Sequence, residues 1–317
     1  MKILVTGGYG QVGSTVANLL LARGDKVLSI DDFATGRRDN LVPHANLNSV
    51  EGSIVDAGLL AREFETFKPD VVVHTAASYK DPDDWHSDAL VNGVGTANIA
   101  KCCRDHGVSR LVYFQTALCY GTKPLQSPIT LDHPLNPANS SYAISKTCGE
   151  QFVQFSGVDY VTFRLANVIG ERNVSGPLPI FYGRLANAQK CFVTEARRDF
   201  CYAGDLAQVV IRAADGTGHG TYHFSSGQDV AIKELYDAVV RAMKLNDYPQ
   251  PEVRPLGPDD AASILLDPSR LFADYGNVEF TPLDEIVRIA VERWREAGVV
   301  GGYTHLKEAR GELKVSR

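Results

Sequence analysis

Short runs of consecutive apolar residues recur through the first half of the chain, each followed by a longer stretch with helical spacing. Lys2-Ile3-Leu4-Val5-Thr6 is the first run and Lys26 to Ile30 the second; Val71 to Thr75, Leu111 to Gln115 and Tyr160 to Leu165 follow. Runs this short and this apolar predict strands buried on both faces. Residues 11–23, 57–67, 87–106 and 142–155 read as helices, the first closed by Gly24. Strand and helix in alternation predict an α/β fold: a Rossmann-type, doubly wound, mostly parallel sheet whose ligand sits beyond the strands' carboxyl ends.

After about residue 170 the pattern loosens. Gly170 to Pro179 is rich in Gly and Pro, and the helices expected at 179–189, 232–244 and 283–297 are separated by irregular segments. The reading is a dinucleotide-binding domain over residues 1–170, rejoined by later segments at about 196–230, and a smaller substrate-binding lobe built mainly from 171–317. Tyr303 to Arg317 is polar and reads as a frayed tail.

Composition narrows the partners. With 317 residues, 44% of them hydrophobic, there is enough apolar mass for a sizeable core. A net charge of -6 and scattered basic residues argue against a nucleic acid or an anionic membrane as partner. No apolar run has membrane-spanning length, and a strand beginning at Lys2 leaves no room for a signal peptide. Six cysteines without zinc-type spacing point to no metal site and to reduced thiols in the cytoplasm.

Two motifs carry the chemistry. Gly7-Gly8-Tyr9-Gly10-Gln11-Val12-Gly13 is a glycine-rich turn between a strand and a helix, where a pyrophosphate can sit on backbone N–H groups. Gly7 permits the tight turn, Gly10 the approach of the phosphates and Gly13 the packing of helix on sheet. Asp31 ends the second strand 18 positions past Gly13, where an acid accepts hydrogen bonds from the adenosine ribose and repels a 2′-phosphate. NAD is therefore expected over NADP, with Arg37 and Arg38 as counter-evidence, since a guanidinium could hold that phosphate. The second motif, Tyr142 and Lys146, places a phenol and an ammonium one helical turn apart, able to reach the same molecule. The ammonium and a positive nicotinamide ring are expected to lower the phenol's pKa toward neutrality.

In this order the motifs resemble the extended short-chain dehydrogenase/reductases, and within them the NAD-dependent sugar-nucleotide epimerase/dehydratase family. The resemblance runs from Met1 to about Glu296 and includes His74-Thr75-Ala76-Ala77, Asn92-Gly93-Val94-Gly95-Thr96-Ala97-Asn98, Tyr120-Gly121 and Arg164-Leu165-Ala166-Asn167-Val168. It implies a catalytic set of Thr116, Tyr142 and Lys146, with Thr116 standing where the family has serine. It implies that Gly7, Gly10, Gln11, Val12, Asp31, Ser53, Ile54, Thr75, Ala76, Ala77, Asn92, Tyr142 and Lys146 hold NAD. Lys80, Thr116, Asn167, Arg198 and Arg254 would hold the substrate, the last by a looser match. For Arg198 the plain alternative is an ion pair with Asp199 or Asp205. His223, where the family often has asparagine, reads as structural.

The resemblance also separates the reactions. Its 4,6-dehydratases carry an Asp-Glu pair directly after the threonine; Ala117 and Leu118 stand there and can neither take nor give a proton. What remains is removal and return of hydride at one carbon, with Tyr142 exchanging the hydroxyl proton: epimerisation, most simply at C4 of a UDP-hexose or UDP-hexuronic acid. A dehydratase using other acids, a reductase and a non-catalytic NAD(P) sensor are the alternatives. The family's habit further implies a homodimer joined through residues 92–106 and 142–155, with Cys102, Cys103 and Phe152 at the interface or in the core.

Overall fold

Val5 and Ile3 point to one face of a parallel sheet and Leu4 to the other, and all three are fully buried. The same alternation places Val71 and Val73 in the first core and Val72 in the second. Both faces are covered, which is why these strands read as unbroken apolar runs. The computed structural model describes residues 1–79, 81–138, 140–257, 260–276 and 278–297.

The main sheet has seven strands: β1 (Lys2–Thr6), β2 (Lys26–Asp31), β3 (Leu47–Glu51), β4 (Val71–His74), β5 (Arg110–Thr116), β6 (Tyr160–Leu165) and β7 (Gly220–Phe224). Their order is β7-β6-β5-β4-β1-β2-β3, every pair parallel. The chain runs outward from β1 in one direction and from β4 in the other. A crevice therefore opens where β1 and β4 meet, at their carboxyl ends. Helix α1 (Gln11–Arg23) covers one face with the helix Ala203–Ala214; α2 (Ala57–Phe67) and the helix Thr96–Asp105 lie on the other. Gly24 ends α1 at φ 94, donating its N–H back to Leu20 and Leu21.

Two elements depart from the sequence expectation. Strand β3 was not expected: Leu-Asn-Ser-Val-Glu lies at the sheet edge with no buried residue, so it lacks an apolar run. Strand β7 and the helix Ala203–Ala214 return to the sheet from the later segments read as rejoining it at about 196–230. The helix expected at 87–106 begins at Trp85, where Asp84 accepts the Ser87 N–H, and widens into a π-helical stretch at Ala89–Gly95 before resuming at Thr96–Asp105. Such widenings recur at functional sites.

A second apolar cluster joins Leu178 and Phe181 with Leu235, Tyr236, Val239, Ile286, Val287 and Trp294, from the helices Pro177–Ala186, Ile232–Met243 and Leu283–Ala297. No helix among the described residues is long and apolar enough to cross a membrane.

Beneath the strand ends lies a buried polar network. Arg164 on β6 pairs with Glu150 on the helix Ser141–Phe155 at 3.1 Å, and its second arm donates to the Tyr120 hydroxyl at 2.6 Å. Tyr120 meets His223 Nε2 at 2.6 Å, and His223 Nδ1 faces the Asp267 carbonyl. Burial lowers His223 to about 4, so it is neutral and structural here. Glu150 and Arg164 are 1% and 7% exposed, so removing either strands a buried charge. Arg164→Met is expected to cost about 3–5 kcal/mol in urea unfolding, and the double variant with Glu150→Gln less. Equal losses in both variants would contradict a buried pair.

Candidate active site

One cavity of about 1190 Å³ runs from the glycine turn across the sheet's switch point to the second lobe. Gly7 leaves β1 at φ 64, and a Cβ there would lie 2.7 Å from the Ala76 nitrogen. At Gly13 a Cβ would lie 2.1 Å from the Gly7 carbonyl oxygen, so α1 packs against the turn only with glycine present. Gly10 caps α1 with no side chain, which leaves the helix's first N–H groups for an anion.

Asp31 is 6% exposed; its two oxygens accept the Tyr9 and Phe33 N–H groups, each at 2.8 Å. Burial raises its pKa, and these two bonds oppose the rise. Arg37 pairs with Asp39, and Arg38 pairs with Glu51 while lying over the Phe33 ring. Both guanidinia thus have acidic partners, which weakens them as a 2′-phosphate site. Gln11, Val12, Ser53, Ile54, Thr75, Ala76 and Ala77 line the same cavity. Gln11 is held in place by Asn173 and the Val168 carbonyl.

At the reacting end, Thr116 closes β5, and its hydroxyl accepts the Leu118 N–H at 3.2 Å. Ala117 and Leu118 also line the cavity, an apolar wall where an acid pair would be needed for dehydration. Tyr142 lies on the wall beside Tyr79, ring centroids 6.4 Å apart. Lys146 does not line the cavity. It is 3% exposed, with its ammonium 4.1 Å from the centre of the Tyr113 ring. Burial lowers it to about 7, against the opposing field of Glu150.

The protein alone raises the Tyr142 pKa, first by burial, then by Tyr79 and Asp88. A lysine near neutrality at pH 7 offers only a fraction of a charge to lower it. Asn92 likewise stands behind the cavity. It accepts the Ser78 N–H and donates to the Ser78 carbonyl and to Ser145, tying the loop after β4 to the helix Ser141–Phe155.

Asn167 and Arg198 line the far end of the cavity. Arg198 pairs with Asp260 at 2.5 Å and donates to the Ala261 carbonyl; Asp199 is instead occupied by Ser225 and Ser226. Arg254 lies away from the cavity, paired with Glu252 and stacked on Phe192. Lys80 falls outside the described residues. Sequence reasoning missed Tyr79, Asp88 and Asp260, all on the wall. For Asp88 one signal was available, its place one helical turn before Asn92.

Residues 3–224 match the family model of the NAD dependent epimerase/dehydratase family. The chain is 35% identical over 274 residues to a UDP-glucose 4-epimerase of Mycolicibacterium smegmatis, covering 79% of this chain and 85% of that protein. Among solved structures, the Bordetella bronchiseptica enzyme WbmH in complex with NAD+ superposes with a TM-score of 0.93 at 63% identity, over 94% of this chain and 99% of that one. The enzyme WbmG of the same organism, in complex with NAD and UDP, gives 0.87 at 42% identity over 96% and 97%.

Lys146 supplies a pH test. The unfolded chain holds its proton up to about pH 10.4, whereas the folded protein releases it near 7. Folded protein therefore binds fewer protons between these values, and stability from this group rises with pH across that window. Relative to Lys146→Met, wild type should lose about 1.4 kcal/mol per unit as pH falls from 9.5 to 7.5, with no further loss below 7. Urea midpoints of the two proteins that stay parallel across this range would contradict the burial.

Proposed function

The chain belongs to the NAD-dependent epimerase/dehydratase family, and from that premise we propose that it inverts C4 of a nucleotide-activated hexose or hexuronic acid, with UDP as the expected nucleotide. The observation that carries the choice of reaction is the apolar pair Ala117 and Leu118 on the cavity wall beside Tyr142. Loss of water needs an acid and a base at neighbouring carbons, and the matched positions provide neither. Inversion at one carbon needs a single proton-exchanging group.

The residues fit NAD. Gly7 and Gly13 leave room that any Cβ would fill, and Asp31 stands ready for ribose hydroxyls at the end of β2. When bound, NAD supplies a reversible hydride acceptor with a positively charged ring. The chain's own contribution is proton transfer and placement. Tyr142 takes the C4 hydroxyl proton and returns it after the 4-keto sugar has turned its other face, with Thr116 bonding the same oxygen. Lys146 acts from behind, fixing the ring's surroundings. Asn167 and Arg198 hold the diphosphate, about which the sugar turns. For Arg198 this requires release from Asp260, or a geometry in which its planar fork serves both.

A homodimer accompanies this reading. Ile144, Phe152 and Phe155 lie exposed along the helix Ser141–Phe155, and Val94 is exposed on the π-helical stretch packed beside it. Phe155 is 81% exposed, an expensive state for a large apolar side chain and one that a second copy would relieve. Cys103 belongs to the core rather than to this face. The six unpaired cysteines fit a cytoplasmic setting.

Two results are expected. With NAD and a panel of UDP-hexoses and UDP-hexuronic acids, anion-exchange chromatography should resolve a 4-epimer for at least one sugar, and Tyr142→Phe should lower kcat by about 10²–10⁴-fold. A Tyr142→Phe protein of wild-type rate would remove the assignment. In sedimentation, wild type should run as a dimer and Ile144→Glu/Phe155→Glu as a monomer; a wild-type monomer would contradict the interface.

A further inference from the structure

Gln115 is the next-to-last residue of β5, borders the cavity beside Thr116 and is 1% exposed. The proton transfer described above runs through Thr116, Tyr142 and Lys146 and leaves it unused. Its side-chain amide bonds in two opposite directions. Oε1 accepts the Thr116 N–H at 2.8 Å, while Nε2 donates to Glu150 at 3.3 Å and to Thr147 Oγ1 at 3.4 Å. The amide can stand only this way round. Turned over, its nitrogen would face the Thr116 N–H and its oxygen the Glu150 carboxylate. Both far partners lie on the helix Ser141–Phe155: Thr147 directly follows Lys146, and Glu150 is one turn beyond it. Each is anchored in turn, since Thr147 donates to the Ala143 carbonyl beside Tyr142 and Glu150 pairs with Arg164 on β6. Two positions earlier on β5, Tyr113 donates to the Lys146 carbonyl. Alternation along a strand puts Tyr113 and Gln115 on one face, so β5 holds the helix at two successive points, and at the second the same side chain also holds the backbone of Thr116.

From this bridge between the strand end that carries Thr116 and the helix that carries Tyr142 and Lys146, we infer that Gln115 is a positioning residue, acting through Thr116. The inference rests on the epimerase reading and deepens it. There, Thr116 and Tyr142 meet one substrate oxygen although they come from different elements, and a displacement of about 1 Å between reacting groups can cost about 10²-fold in rate. Thr116 stands where β5 gives way to the turn Ala117–Tyr120, with its hydroxyl accepting the Leu118 N–H. The bond from its N–H to Gln115 sets the distance of this strand end from the helix. Without that amide the Thr116 N–H loses this acceptor, Glu150 and Thr147 lose a donor, and the threonine can shift against the tyrosine.

The test is a double-mutant cycle between Gln115 and Thr116, read as kcat and KM of the NAD-loaded protein on a UDP-sugar that wild type converts, with calorimetric titration of UDP alongside. Gln115→Met keeps the length of the side chain and removes its donors and its acceptor. It should lower kcat about 10- to 10²-fold, with KM and UDP affinity within about twofold of wild type. Thr116→Ala should lower kcat as well, and adding Gln115→Met to it should cost little more, because the group being placed is gone. Gln115→Asn, whose amide is one methylene too short to join strand and helix, should repeat both results and supplies the cycle should the methionine variant misfold. Wild-type kcat in the Gln115 variants would overturn the inference. So would an equal loss from the Gln115 substitution in wild type and in Thr116→Ala, which would make the residue a purely structural group. A wild-type protein that converts none of the UDP-hexoses and UDP-hexuronic acids would remove the epimerase reading and this assignment together, and is recognised before any variant is made.

Discussion

The ammonium of Lys146 lies inside the protein against the face of Tyr113, and the reacting half of the cavity is arranged around that placement. A buried ammonium sheds its proton readily, and this one is lowered to about 7. Tyr113 also donates to the Lys146 carbonyl, while Asn92 donates to Ser145, so the helix Ser141–Phe155 is fixed in rotation on β5 and on the π-helical stretch. That rotation turns Tyr142 to the cavity wall and Phe155 to the outside. The polar ladder continues from His74, which meets Thr6 and Thr96, back to the strand that enters the glycine turn. The two chemical ends of the cavity thus share one rigid base.

Electrostatics divide the work between chain and cofactor. The protein alone raises the Tyr142 phenol, through burial and the nearby Tyr79 and Asp88. Under the proposed reaction, such a site holds its tyrosine protonated until positive charge arrives, tying proton transfer to a loaded cavity. Asp31 follows a related logic: its two backbone bonds orient the carboxylate while burial opposes its ionisation.

Features held by neighbours in sequence were legible before the fold was known. The glycine turn, Asp31 and the Tyr142/Lys146 pair each depend on a strand end or on helical spacing, which one stretch of sequence contains. Strands β1, β4 and β6 were legible for the same reason, being short and mainly apolar. Strand β3 was not, because an edge strand with an exposed surface has no apolar signature. The pairing of Arg198 with Asp260 and the stacking of Arg254 on Phe192 join residues about 60 positions apart, and no local pattern encodes them. The depth of Lys146 was hidden for another reason: helical spacing gives its face but not how far that face is buried. Asp88 was passed over because an acid in the run Asp81-Pro82-Asp83-Asp84 to Asp88 looks like solvated surface until its neighbours are known.

Inversion at a single carbon, with the same hydride returned and no proton drawn from carbon, is the account's central claim. Its most direct test is an NMR time course in D2O with wild-type protein, NAD and a UDP-sugar that binds. The account predicts a 4-epimer with no deuterium on any ring carbon. A 4-keto-6-deoxy product carrying deuterium would contradict it, and would mean that acids other than those at positions 117 and 118 perform an elimination.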